Sequence, residues 1–200
     1  MKVFVTGGAR SGKSDFAERY AMRSAASGIY IATSQSWDDE MATRIKQHKE
    51  LREASGFPWR TIEEPLELAA ALRQLDQEGA TASERPVVLV DCLTLWLTNW
   101  LLRLEPMAEE GDHSAVPSTL NLKDVIDDLV DAVASCSSPL LLVSNEVGSG
   151  IVPAYPLGRR FRDEAGRLNR QLAAVCTEAY LVVAGFPLDL KAHAFRLEDV

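Results

Sequence analysis

The stretch VFVTGGARSGKSDFAERY, Val3–Tyr20, decides how the rest of this chain is read. Val3, Phe4, Val5 and Thr6 are apolar or β-branched, as a buried strand requires. A glycine pair follows, then Gly12-Lys13-Ser14, then an amphipathic run. Gly7-Gly8-Ala9-Arg10-Ser11-Gly12-Lys13-Ser14 matches GxxxxGK[ST], with a strand before it and a helix after it. The spacing has a physical reason. Glycines let the backbone curl so that successive N–H groups face phosphate oxygens. The helix that follows adds its positive end. Lys13 reaches the β- and γ-phosphates, and the Ser14 hydroxyl is a ligand for Mg²⁺.

Outward from this loop, four further segments read as buried strands: Gly28–Thr33, Pro86–Asp91, Pro139–Ser144 and Ala179–Ala184. With Lys2–Thr6 they are mostly continuous apolar runs, the pattern of strands covered on both faces of a parallel sheet. Trp59–Glu63 is a weaker sixth strand, suited to an edge. Helical patterns lie between them: Ser14–Ser24, Trp37–Arg52, Pro65–Gln77, Leu122–Ala134 and Phe161–Val175. The last carries Phe161, Ala165, Leu168, Leu172 and Val175 on one stripe. Strands alternating with helices predict an α/β fold with a mainly parallel sheet and helices on both faces.

Two hundred residues fit a single domain, 1–200. Residues 105–119, polar with two prolines and a glycine, read as a mobile surface loop, with His113 solvated in it. The net charge of −8 and pI near 5.0 make nucleic acid a poor partner and favour a small molecule. No signal peptide precedes the first strand, and no apolar run reaches the roughly 18 residues of a membrane helix, so a cytoplasmic protein without membrane insertion is expected. Cys92, Cys136 and Cys176 are odd in number and far apart, and read as buried free thiols.

A phosphate loop of this kind needs a second acid beside the metal, at the end of a neighbouring strand. Asp91, closing VVLVD, supplies it. Thr33, Ser34 and Gln35 stand where the strand GIYIAT ends, at the end of a parallel strand where open α/β sheets bind ligands. On the helix 37–52, His48 shares a face with Met41 and Ile45. It is either a half-buried packing residue or, beside Arg44, Lys49 and Arg52, a nucleophile toward phosphorus. Arg159, Arg160 and Arg162 crowd the start of the last long helix, facing either solvent or a phosphate. Spacing alone thus yields a nucleoside triphosphate with Mg²⁺. A kinase, a nucleotidyl transferase and a regulatory switch share this loop.

VTGGARSGKS, YIATSQ, DDEMATRIKQHK, WRTIEE, LVDCLTLWLTN, VSNEVGSGIVP and RRFRDEAGRLNRQLA together resemble the bifunctional adenosylcobinamide kinase / adenosylcobinamide-phosphate guanylyltransferase family of cobalamin biosynthesis. The resemblance covers nearly the whole chain. It implies a RecA-like P-loop NTPase domain and a homotrimer. It implies that adenosylcobinamide is phosphorylated by GTP or ATP. GMP from GTP then passes to adenosylcobinamide-phosphate, by way of a histidine–GMP intermediate on His48. Its nucleotide contacts fall on the loop, on Thr33, Ser34 and Gln35, on Lys49, Glu50, Leu51 and Arg52, and on Glu63 and Asp91. The lone-kinase and nucleotide-switch readings predict no enzyme–GMP adduct. No NKxD motif is present, so guanine preference rests on the resemblance.

Overall fold

The computed structural model describes residues 1–35, 50, 52–81, 84–104 and 121–195. His48, most of the expected helix 37–52 and the 105–119 loop lie outside the described residues.

The strands are β1 (Lys2–Gly7), β2 (Gly28–Ala32), β3 (Trp59–Glu63), β4 (Val87–Asp91), β5 (Leu140–Val143), β6 (Glu178–Val183) and β7 (Phe186–Asp189). The helices are α1 (Lys13–Ser24), α2 (Leu68–Gly79), α3 (Leu93–Leu104), α4 (Leu122–Ser135), α5 (Pro156–Val175) and the short α6 (Leu190–His193). The sheet order is β3-β2-β4-β5-β1-β6-β7. All pairs are parallel except β6 with β7, which run antiparallel. Trp59–Glu63 stands at one edge, as its weaker apolar pattern predicts.

Alternation within each strand splits the core. Phe4, Ile29, Ile31, Val88, Val90, Leu140 and Leu142 face α2, α3, α4 and α5. Val3, Val5, Tyr30, Leu89, Leu141 and Val143 face α1 through Ala17 and Ala21. The uneven split follows from right-handed crossovers. Connections from β3 to β4, β4 to β5 and β5 to β6 all step in one direction and place their helices on one face. The step from β1 to β2 runs the other way and puts α1 on the opposite face. The step from β2 to β3 also runs that way, and Arg52, near its end, does lie against Glu18 of α1.

Three elements differ from the sequence expectation. α5 starts at Pro156, five residues ahead of its apolar stripe, with Pro in its first turn. α3 is a helix that the sequence reading does not place: Leu93, Trp96, Leu97, Trp100 and Leu101 form a buried stripe, but Leu95 and Leu102 on the other side are apolar and half-buried, so it has no simple polar face. β6 turns at Ala184-Gly185, with φ of 50° and 84°, into β7. Positive φ at both central residues suits a tight hairpin whose twist matches its strands. The three cysteines are buried and free. Among the described residues, no helix is long and apolar enough to cross a membrane.

Candidate active site

β1 ends at Gly7 and α1 begins at Lys13, and the chain between them turns through φ values of 57° at Arg10 and 90° at Gly12. Arg10 is a side-chain-bearing residue in the left-handed region, which costs on the order of 1 kcal/mol. Gly7 has no room for anything larger: a Cβ there would stand 2.5 Å from the Val182 carbonyl oxygen and 2.6 Å from Ser11 Oγ. The hairpin turn braces the loop, since the Gly185 amide donates to the Ser11 carbonyl at 2.8 Å. Gly185 also approaches Gly12, where a Cβ would meet its Cα at 3.3 Å.

The loop holds donors that lack acceptors. Gly12 is the N-cap of α1 and no side chain caps it, leaving the first helical amides open. Ser11 Oγ is buried with no hydrogen-bond partner among the described residues. Lys13 is buried, and its Nζ bridges the loop to the Gly8 carbonyl at 3.1 Å. An anion seated here takes up these N–H groups and meets the helix's positive end and an ammonium together.

The floor lies at the ends of β2 and β4. Thr33 is fully buried and its hydroxyl is committed to the protein: it accepts from the Cys92 amide at 3.0 Å and donates to the Cys92 carbonyl at 2.7 Å. The Asn99 amide group donates to the Thr33 carbonyl at 2.9 Å and to the Pro65 carbonyl at 3.0 Å. Thr33 therefore sets where the half-buried Ser34 and Gln35 leave the sheet. Glu63 is exposed at the end of β3. Asp91, half-buried at the end of β4, accepts from the Tyr30 hydroxyl at 3.2 Å. β5 stands between β4 and β1, so Asp91 and the loop occupy strand ends two positions apart, about 10 Å in the sheet. A serine hydroxyl and a carboxylate are the hard oxygen ligands Mg²⁺ prefers, so Ser14 and Asp91 fit that ion chemically.

Beneath the loop, the Arg52 guanidinium is buried. It lies 3.5 Å from the centre of the Tyr30 ring, a cation–π contact, and its Nη1 is 3.5 Å from Glu18 Oε1. Burial pushes the Glu18 carboxyl up to about 7, with Arg52 pulling it the other way. Burial, and next the Asp91 charge, pushes the Tyr30 hydroxyl well above its ordinary value. Arg52 is thus tied to α1, the helix that carries Lys13 and Ser14. Glu50 is exposed, and Lys49 and Leu51 lie outside the described residues along with His48.

Sequence reasoning missed Glu18, Tyr30 and Asn99. Glu18 reads as the solvent face of an amphipathic helix, and Tyr30 as one more residue of an apolar strand. Asn99 was the one legible signal, an amide inside the otherwise apolar run LWLTNWLL.

A family profile described as cobinamide kinase / cobinamide phosphate guanyltransferase matches residues 3–190. The bifunctional adenosylcobalamin biosynthesis protein CobP of Pseudomonas aeruginosa is 43% identical over 193 residues, 96% of this chain and 99% of that protein. The bifunctional adenosylcobalamin biosynthesis protein CobU of Salmonella typhimurium is 44% identical over 195 residues, and that of Escherichia coli 41% over 193, each across 96% of this chain and 100% of the relative. Among solved structures, the assembled type III secretion ATPase EscN of enteropathogenic E. coli aligns at a TM-score of 0.55 and 9% identity, over 92% of this chain and 43% of that one. A prototypical ATPase from a type III secretion system aligns at 0.51 and 10%, over 98% of this chain and 59% of that one. These two likenesses bear on the fold alone, that of a RecA-like P-loop ATPase. With its phosphate loop folded on that sheet and its relatives matched from end to end, the chain belongs to the cobinamide kinase / cobinamide phosphate guanyltransferase family, bifunctional enzymes of adenosylcobalamin biosynthesis.

Proposed function

We propose that one nucleotide site serves both reactions and that His48 carries GMP between GTP and adenosylcobinamide-phosphate. The observation that supports this reading most is the burial of Arg52 against Glu18 and Tyr30. His48 is four residues from Arg52 in the sequence, a stretch that spans at most about 14 Å, which is within reach of the phosphate loop for the histidine carrier proposed.

In the kinase reaction the aminopropanol hydroxyl of adenosylcobinamide takes the γ-phosphoryl group of GTP or ATP. Lys13 and the loop amides hold the β- and γ-phosphates, and positioning supplies most of the catalysis. In the second reaction the His48 imidazole attacks the α-phosphorus of GTP. The same loop then holds the departing pyrophosphate, so its donors stabilise the charge that develops there. Ser14 and Asp91 would hold Mg²⁺, which would neutralise phosphate charge. Ser34, Gln35 and Glu63 lie at the same edge of the sheet for contacts to the rest of the nucleotide.

We also infer a homotrimer in the cytoplasm. Phe186 and Leu188 are exposed on the edge strand β7, and Ile151, Val152 and Tyr155 are exposed ahead of α5. An apolar sheet edge is a surface that folded proteins normally cover. Light scattering should return about three times the 22.0 kDa chain mass. Three buried free thiols suit a reducing compartment.

The central test is intact mass after incubation with GTP and Mg²⁺ without acceptor. A GMP-sized, acid-labile adduct is expected on the wild type and absent from His48→Ala. An adduct on both proteins, or on neither, removes His48 as the carrier.

A further inference from the structure

The acceptor of the second reaction is a phosphomonoester, and its dianion calls for cationic groups within reach of the nucleotide site. α5 supplies five arginines against two acids, in a chain whose net charge is −8. Arg159, Arg160 and Arg162 fall in its first two turns, where cations oppose the positive end of the helix. Arg159 spends its guanidinium on the Pro153 and Ala154 carbonyls, at 3.1 and 2.6 Å, ahead of the helix.

A groove of about 580 Å³ is lined by Gly148, Arg162, Asp163, Gly166, Arg167 and Arg170. That volume lies within the ~300–1,000 Å³ usual for small-molecule sites. Arg162, Gly166 and Arg170 are spaced i, i+4, i+8 and share one face of α5. Gly166 leaves bare backbone between the two guanidinium groups, and a Cβ built there meets nothing within 4 Å. Arg162 is held at 3.0 and 3.2 Å by Asp163, and Arg167 at 2.6 Å by Glu164. Arg170 is exposed and has no ion pair among the described residues.

The groove is fastened to the nucleotide site. The Glu146 amide donates to the carbonyl of Gly7, the first residue of the loop, at 3.0 Å. Glu146 Oε1 accepts from the amide of Gly148, in the groove wall, at 3.2 Å. Asn169 of α5, buried behind the groove, accepts from the Ser144 hydroxyl at 2.6 Å and donates to the Asn145 carbonyl at 3.1 Å. Glu146 and Gly148 are two residues apart, at most ~7 Å of chain, so the groove opens next to the loop.

We propose that this groove is the acceptor-phosphate subsite, in which Arg162 and Arg170 bind the phosphomonoester of cobinamide phosphate across the bare backbone of Gly166. The planar guanidinium fork matches phosphate oxygens two at a time. The step it serves rests on the guanylyl-transfer reading above. A non-bridging oxygen of the bound phosphate attacks the α-phosphorus of the histidine–GMP adduct. A P–O bond forms and the P–N bond breaks. The imidazole keeps the electron pair and takes a proton from water.

The test compares cobinamide phosphate with cobinamide, which lacks only the phosphate. The wild type should bind the phosphate ester at least tenfold more tightly in equilibrium titration. Arg162→Ala/Arg170→Ala should bind the two alike, and Arg162→Lys/Arg170→Lys should recover part of the preference. Gly166→Leu fills the groove and favours the helix by about 1 kcal/mol, so it should fold and lose the preference as well. In all variants, adduct formation from GTP and KM for cobinamide should stay within twofold of wild type. An undiminished preference for the phosphate ester overturns the groove assignment. So does a parallel loss of all three quantities, which marks a structural role. A wild type that forms no adduct sinks the histidine carrier instead, and the binding comparison still decides the groove.

Discussion

Glu18 sets burial against charge inside the site. Its side chain is 18% exposed and that of its partner Arg52 is 5% exposed. Folding strips water from the carboxylate, and a guanidinium at 3.5 Å restores only part of what is lost. The carboxyl rises from 4.5 to about 7. Between those values the folded chain binds a proton that the unfolded chain has released, so stability falls as pH rises. The contribution is fully present below pH 4.5 and is lost as pH passes through 7. That interval, at about 1.4 kcal/mol per pH unit, amounts to ~3 kcal/mol. Glu18→Gln keeps the shape and an acceptor for Arg52 but does not titrate. Urea unfolding of both proteins from pH 4.5 to 8 reads the effect, because titrating groups not coupled to Glu18 cancel in the difference. The stability of the variant relative to wild type should grow by about 3 kcal/mol across that range. Parallel curves, differing by a constant, would refute the claim that desolvation governs Glu18.

Gly7→Ala should weaken binding of a fluorescent nucleotide at least tenfold, because its Cβ would collide with the Val182 carbonyl and Ser11 Oγ at 2.5 and 2.6 Å; near-wild-type binding would mean that the loop yields freely. Asn99→Leu leaves the Thr33 and Pro65 carbonyls without their donor and should cost about 2–3 kcal/mol in chemical denaturation, whereas a loss under 1 kcal/mol would show that water replaces it. On the proposed histidine carrier, attack needs a neutral imidazole, so the rate of GMP–enzyme formation should fall about tenfold per pH unit below the ordinary imidazole value near 6.5. A flat rate from pH 5 to 8 counts against it as nucleophile.

The strands and the phosphate loop were legible because their signals are local. Val3 to Thr6, Val87 to Val90 and Leu140 to Val143 are apolar on both faces and short, as buried parallel strands must be. Other elements carried no local signature. LTLWLTNWLLRL of α3 carries a stripe at Leu93, Trp96, Leu97, Trp100 and Leu101, but Leu95 and Leu102 on its other side are apolar as well and blur it. FPLD of β7 is an exposed edge strand with a proline, and its pairing is visible only once β6 is in place. The first turns of α5 are disguised by Arg159, Arg160 and Arg162.

By itself the sequence determined the α/β class, the loop that grips phosphate and the residue types available to it. Those properties depend on eight consecutive residues and on periodicities within single elements. Only the tertiary structure decided that β5 separates β4 from β1, that Gly185 braces the loop, that Arg52 is buried on Glu18, and that Gly148, Arg162 and Arg170 line one groove. Each of these joins residues far apart in the chain. Such contacts are chosen by the hand of the crossovers and by burial summed over the whole sheet, which no local stretch of sequence records.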